Sequence, residues 1–366
     1  MVQGWNSIVL ALGATVLAAT HVCGKPALAA GPGASAVGRY PERVYVPTAK
    51  GNTLHVIDPK TFTIIATHPV GAAPHHVAPS WDLTQLFVMN TAGNSLTVID
   101  PATGEISGEI PVVDPYNLYF TPDGTMAVVV AERDQRLDFR DRRTWKLIKS
   151  IPVEWAGVDH LAFSRDGSYL VASCEWSARI VKVDLRKLEL VADLPLGKNP
   201  IDVVRPPRQN LMFIADQGVH GVFVIDPDAW RQVAFIPTGG GAHGILLSHD
   251  EKLLYVSNRW EGSISVIDVA ARKVMAKWKT GGSPDMGQLS ADGRQLWISS
   301  RYHAHVMAID TATGTVLARI PTDPEPHGLT YFPSSRGAHS LGHNGVYLLD
   351  RPSRVRNADA RDDPRK

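Results

Sequence analysis

The sequence predicts an all-β fold, a seven-bladed β-propeller with four-stranded antiparallel blades, and three observations support this prediction. A turn with an Asp recurs at intervals of 41 to 43 residues. Between these turns lie short apolar or alternating runs, such as 253–258, which read as β-strands bounded by polar turns. A unit of about 42 residues with room for four strands is typical of a propeller blade. The recurring aspartates are Asp58, Asp100, Asp141, Asp184, Asp226, Asp268 and Asp310.

The two ends of the repeat predict how the ring closes. The first unit begins abruptly at Arg43 and lacks an innermost strand of its own. The segment 326–332 follows the seventh unit in the register of an eighth first strand. We therefore expect this C-terminal strand to pair into blade one, which removes the exposed sheet edges that invite aggregation.

The residues that flank the repeat differ from it in composition. An apolar run at 8–19 and the small residues Ala27 and Ala29 predict an exported protein, periplasmic or secreted, with cleavage near Ala29 or Ala30. No membrane span is expected after cleavage. The expected segments are a signal peptide (1–30), a linker (31–42), the propeller (43–350) and a disordered charged tail (351–366).

Charge, cysteine content and motifs exclude several classes of protein. A net charge of +1 without basic clusters in the repeat argues against nucleic-acid binding. Signal cleavage would remove Cys23 and leave Cys174 alone, so we expect no intrachain disulfide. Motifs for haem attachment, zinc proteases, serine-hydrolase elbows and phosphate loops do not occur in the sequence.

Several of these patterns resemble the YVTN-type propeller repeat. The resemblance lies in Pro326-His327-Gly328, in the Asp-Gly turns and in the run 255–258 before an Ile-Asp turn, and it covers residues 43–333. It implies a propeller fold in an exported protein, within a family whose functions are often unassigned. A more distant resemblance is to the haem-d-binding propellers of periplasmic nitrite reduction, which share the scaffold.

One face of the predicted propeller differs from the other in residue type. The Asp-Gly and Ile-Asp turns of one face repeat with little variation, which backbone geometry explains. On the other face, the repeat places imidazoles and carboxylates at the mouth of the central channel. The first residues after the recurrent Pro position are His75, Tyr116, Asp159, Ile201, His243, Asp285 and His327, followed by His76, Asn117, His160, Asp202, Gly244, Met286 and Gly328.

The second strands are expected to end on the same face as this ring. Their predicted last residues are mostly polar: Thr48, Asn90, Glu132, Cys174, Asp216, Asn258 and Ser300. Aromatic residues in the loops beyond these strands would form a rim above a polar well. The predicted ligand-binding residues are His76, Asp159, His160, Asp202, Asp285, Trp176, Arg259, Trp260, Arg301 and Tyr302.

Neutral imidazoles and carboxylates suit zinc, copper, iron or manganese. The candidate metal ligands are His75, His243 and His327, with Asp159 or Asp285 assisting, and the cofactor would be a divalent transition metal or a tetrapyrrole. A structural role is the alternative, because the His of a Pro-His-Gly opening can bond to neighbouring backbone. The sequence identifies no catalytic residue.

Three functions remain open from the sequence. The leading interpretation is an exported binding protein whose channel-mouth face engages a small molecule or a protein partner. The alternative is a metal-dependent lyase or hydrolase, or a haem-d-type cofactor protein, that uses the same histidines. A structural cell-surface module, in which the ring of polar residues is dispensable, is the third. A fold by itself does not choose among them.

Overall fold

The computed structural model describes Met1 and residues 39–333. In this part of the chain, 28 strands form seven four-stranded antiparallel sheets, and the predicted seven-bladed propeller is confirmed. The predicted signal peptide (apart from Met1), residues 31–38 of the predicted linker, residues 334–350 of the predicted propeller and the charged tail lie outside the described residues. The described part contains no apolar helix of membrane-spanning length.

The strands are numbered in chain order, and four consecutive strands form each of blades 2 to 6. Blade 1 contains β1 (Arg43–Thr48), β2 (Thr53–Asp58) and β3 (Thr63–Pro69). Blade 2 contains β4 (Pro74–Pro79), β5 (Leu86–Asn90), β6 (Ser95–Ile99) and β7 (Ile106–Pro111). Blade 3 contains β8 (Asn117–Phe120), β9 (Met126–Ala131), β10 (Arg136–Asp141) and β11 (Leu147–Pro152). Blade 4 contains β12 (Val158–Phe163), β13 (Tyr169–Cys174), β14 (Arg179–Asp184) and β15 (Glu189–Pro195).

The remaining blades repeat this pattern. Blade 5 contains β16 (Pro200–Val204), β17 (Met212–Asp216), β18 (Gly221–Asp226) and β19 (Arg231–Pro237). Blade 6 contains β20 (Ala242–Leu247), β21 (Leu253–Asn258), β22 (Ser263–Asp268) and β23 (Lys273–Lys279). Blade 7 contains β24 (Pro284–Leu289), β25 (Gln295–Ser300), β26 (His305–Asp310) and β27 (Val316–Pro321), and β28 (Thr330–Phe332) follows. Two short 3₁₀ helices lie at Glu175–Ser177 and Arg301–His303.

Blade 1 is a composite of both ends of the described chain. Strand β28 pairs antiparallel with β1, with Val44 opposite Tyr331 and Arg43 opposite Phe332. The order of its sheet is β28-β1-β2-β3, so β28 takes the innermost place. The predicted closure by a C-terminal strand is therefore confirmed.

The recurring aspartates owe their regularity to backbone geometry. In all seven blades the Asp Oδ1 accepts a hydrogen bond from a backbone N–H two or three residues further on, for example from Lys60 to Asp58 at 2.8 Å. The residue four positions after each Asp has a left-handed φ between 48° and 84°. A short side-chain acceptor stabilises such a turn, which explains why Asp recurs there.

The hydrophobic core lies between neighbouring blades. The three inner strands of each blade are almost wholly buried, as in β9, whereas the outermost strands are mostly exposed or half-buried, as in β3 and β7. Trp297 and Tyr45 are among the largest fully buried side chains. Neighbouring innermost strands contact one another around the axis, so their first residues meet at one mouth of the channel.

Candidate functional site

Polar side chains from several blades meet at this mouth of the channel. His76 lies in β4, His160 in β12 and Asp285 in β24, each near the start of an innermost strand. The ring centroids of His75 and His327 are 4.1 Å apart, and those of His76 and His160 are 5.1 Å apart. The structure thus brings together side chains that the repeat alignment assigns to one ring.

Three histidines of this ring form a compact cluster, which we call the histidine cluster: His75, His76 and His327. One ring nitrogen from each lies within 4.8 Å of the other two. His76 and His327 are buried, and His75 is partly exposed. Gly328 makes the arrangement feasible, because a Cβ there would lie 1.8 Å from His76 Nδ1.

A carboxylate orients one imidazole of the cluster. His327 Nδ1 lies 2.6 Å from Asp285 Oδ2, and it donates to the carboxylate, which can only accept. The other nitrogen, His327 Nε2, is buried without a hydrogen-bond partner. A carboxylate that binds one ring nitrogen and leaves the other free is the arrangement found behind metal-ligating histidines.

His243 lies on the other side of the same carboxylate. Its Nδ1 is 3.0 Å from Asp285 Oδ1, its Nε2 contacts the Arg259 guanidinium, and its ring centroid is 6.1 Å from that of His327. Of the three candidate metal ligands, His75 and His327 therefore lie together in the histidine cluster. The third member of the cluster is His76, in place of His243. Repeat alignment could not show this, because it sets His243 equivalent to His75 and ignores what Arg259 contacts.

Burial controls the charge of these groups. It holds the pKa of His75, His243 and His327 well below the usual value, so these imidazoles are neutral. Burial would raise the pKa of Asp285, but the nearby Arg259 and other positive groups outweigh it and lower that pKa. The site therefore combines neutral nitrogen donors with an ionised carboxylate.

A second polar group ties neighbouring blades together inside the channel. His160 Nε2 lies 3.2 Å from Asp159 Oδ1, and its Nδ1 lies 3.1 Å from the Asn117 amide. Asp202 accepts the backbone N–H of Ile245 from the next blade at 2.8 Å. Burial raises the pKa of Asp159 well above its usual range. These contacts give His160 and Asp202 a structural role in the channel wall.

A cavity of about 300 Å³ opens above the histidine cluster. His75 and Tyr116 are among its lining residues, and their rings pack with centroids 4.6 Å apart. The charged residues of its wall are Lys50, Glu132, Arg133, Arg301 and Glu325. The cavity therefore gives access to the most exposed member of the histidine cluster.

Three aromatic residues in the loops that follow second strands are exposed: Trp176, Trp260 and Tyr302. The Trp176 indole N–H donates to Glu132 Oε1 at 2.9 Å. The Arg259 guanidinium lies 5.7 Å from the centre of the Tyr302 ring. The contacts of Trp176 and Tyr302 are thus with charged residues of the neighbouring loops.

The predicted end of the second strand in blade 3 is wrong by one residue. Strand β9 ends at Ala131, so Glu132 is the first loop residue, equivalent to Glu175 and Arg301 in their blades. The unit between Asp100 and Asp141 is one residue shorter than the usual 42, which accounts for the shift.

Three residues of the cavity wall were not predicted from the sequence: Lys50, Arg133 and Glu325. Lys50 and Arg133 both lie just beyond the end of a second strand.

The fold and this mouth define a β-propeller with a polar, histidine-rich channel. The chain belongs to the family of YNCE-like β-propellers, whose model matches residues 5–334. No curated protein matches the chain.

Several solved structures share the fold. Kuenenia stuttgartiensis hydrazine synthase is 22% identical (TM-score 0.60; 72% of this chain and 88% of that chain covered). The dihydro-haem d1 dehydrogenase NirN is 16% identical (TM-score 0.63; 79% and 75% covered). The periplasmic gluconolactonase PpgL of Pseudomonas aeruginosa is 18% identical (TM-score 0.66; 79% and 98% covered). At these identities the similarity concerns the fold alone, and the functions vary among the neighbours.

Proposed function

We propose that this chain is an exported binding protein that holds a divalent transition metal at its channel mouth and presents it to a small ligand. The convergence of His75, His76 and His327 is the observation that supports this most directly. Export is supported by the apolar run and small residues within 1–30.

The distances within the histidine cluster suit one ion after a small closure. Imidazole nitrogens bind zinc at about 2.0–2.1 Å, so two ligands in a tetrahedral site are about 3.3 Å apart. The cluster nitrogens lie within 4.8 Å of one another, and ring movements of about 1.5 Å or less would bring them to that spacing. Three neutral imidazoles on a divalent ion also suit copper, iron or nickel.

The surroundings of the cluster support a site that exchanges ligands. Asp285 holds the His327 tautomer that leaves Nε2 available to an ion. Three protein ligands leave a coordination position open, in contrast to closed four-ligand structural sites. The cavity beside His75 provides the route to that position.

Metal analysis of the purified mature protein, loaded with Zn²⁺ or Co²⁺ and then desalted, tests the proposal. We expect one equivalent of metal, lost in His76→Ala and His327→Ala. His303→Ala removes an exposed imidazole of the same face and serves as the control. His243→Ala should retain the metal, which separates the cluster from the ligand set predicted by repeat alignment. A protein without metal, or one whose content ignores both cluster variants, would contradict the proposal, and a tetrapyrrole absorbance band would favour the haem-d-type alternative.

A metal-dependent hydrolase or lyase is the second candidate, because Glu132 lines the same cavity as His75. Burial raises the pKa of Glu132, which would suit a carboxylate that takes up a proton beside a bound ion. One structural neighbour is a gluconolactonase, so gluconolactone is a sensible first probe, with acid release followed in a pH-stat. Turnover by the metal-loaded protein that is lost in Glu132→Gln at full metal content would support catalysis. Equal rates in both proteins would exclude this role for Glu132.

A further inference from the structure

We infer that the ligand presented to the metal is a small oxygen anion, a carboxylate or a phosphate, which bridges the ion and the Arg301 guanidinium. This inference rests on the proposed metal site and names the chemical class of its ligand. Arg301 lines the cavity together with His75 and follows β25 directly.

Arg301 has unused hydrogen-bonding capacity next to the histidine cluster. Its side chain is 18% exposed, and its Nη1 lies 3.2 Å from His327 Nδ1. Because His327 Nδ1 donates to Asp285, it offers no acceptor to this guanidinium. The Arg301 Nε is buried without a hydrogen-bond partner. A guanidinium in such a position can offer two parallel N–H groups to a carboxylate or phosphate.

The other two cations of the cavity wall each have a close carboxylate partner. Arg133 Nε binds Asp114 at 2.6 Å, and Lys50 binds Glu325 at 2.7 Å. Among the described residues, the ion pair of Arg301 is a long one, 3.8 Å to Glu325. Among the described cations of this wall, Arg301 thus has the longest ion pair, and its Nε has no partner.

The charge balance around the cluster also favours an anion. Asp285 contacts His327 of the cluster, and it already faces Arg259. The charges of Arg259, Arg301 and Asp285 sum to +1, and a divalent ion bound beside these three side chains would add to that positive charge. The other charged residues of the cavity wall, Lys50 and Arg133 against Glu132 and Glu325, balance one another. A volume of about 300 Å³ is at the lower end for ligand pockets and suits a small molecule.

Cobalt-loaded protein provides a direct test, because the visible bands of Co²⁺ respond to a change of ligand. Acetate and sodium phosphate would be titrated separately into the wild type, Arg301→Gln and Arg301→Lys, after cobalt has been quantified in each. Arg294→Gln is the control, since this Arg is 85% exposed on the opposite face. Arg301→Lys keeps the positive charge and guards against a loss of cobalt in the Gln variant.

We expect at least one anion to shift the visible bands of the wild type, with acetate alone indicating an organic acid and phosphate alone a phosphate ligand. Its affinity should fall about tenfold in Arg301→Gln, equivalent to about 1.4 kcal/mol. Arg301→Lys should lie between, and Arg294→Gln should match the wild type. Bands that respond to neither anion, or equal affinities in the wild type and both Arg301 variants, would overturn the inference while the metal site stands. Failure of the wild type to retain cobalt would instead contradict the proposed function.

Discussion

Replacing Gly328 by Ala should displace one ligand of the histidine cluster without removing any imidazole. The added Cβ would lie 1.8 Å from His76 Nδ1, and ordinary contact begins near 3.4 Å, so the ring must move by about 1.6 Å. The rings of His75, Tyr116, His160 and His327 surround it, with centroids 4.7 to 5.4 Å away. Metal–ligand distances tolerate only about 0.2 Å, so this movement would take His76 out of the proposed coordination shell.

The effect can be measured by titrating Zn²⁺ into the purified variant against a chromogenic chelator. We expect affinity to fall at least tenfold, the loss typical of disturbing even an outer-shell partner. Overpacking should also cost about 1–3 kcal/mol of unfolding free energy. Gly108→Ala is the matched control, because a Cβ at Gly108 meets nothing within 4 Å. If Gly328→Ala binds zinc as tightly as Gly108→Ala, the reasoning that places His76 in the metal site is refuted.

Three further outcomes follow from other parts of the molecule. Burial is the main cause that raises the pKa of Glu175 from 4.5 to about 7. The native state therefore keeps a proton that the unfolded state has released, and the unfolding free energy should fall between about pH 4.5 and pH 7. Urea titrations should show this slope flattened in Glu175→Gln, and an unchanged slope would contradict the role of Glu175. Burial raises the pKa of the Cys174 thiol to about 12, so in a Cys23→Ser background a thiol reagent at pH 8 should label the protein only after urea is added. Phe332→Ala in the closing strand should lower the unfolding free energy by about 3–5 kcal/mol, against less than about 0.5 kcal/mol for the exposed Tyr302→Ala, and equal effects would argue against closure by β28.

The blade count could be read from the sequence because a single side chain determines each turn. The Oδ1 of every recurring Asp accepts a backbone N–H two or three residues further on, and this local requirement makes the Asp recur once in each blade. The composite first blade was predictable for a related reason, since Arg43 starts a unit without its first strand. Local backbone chemistry thus carries most of the information about the fold.

The histidine cluster was only partly predictable, because its members are selected by contacts between blades. Alignment treats His75, His243 and His327 as equivalent, but Arg259 and Asp285 hold His243 apart. His76 reaches the cluster because Gly328, in a different blade, has no side chain. The sequence placed His76 in the channel-mouth ring, but the part played by Gly328 depends on which blade lies opposite, and repeat alignment does not give that.

The composite blade has a consequence for the order in which the site is made. His327 is separated from His75 and His76 by about 250 residues, and it stands just before the strand that closes the ring. A growing or truncated chain therefore has two of the three imidazoles but no complete cluster. Metal binding at the proposed site would therefore require that the C-terminal segment with His327 has docked. A bound ion would in turn hold this segment against blade 2, where the two ends of the ring meet.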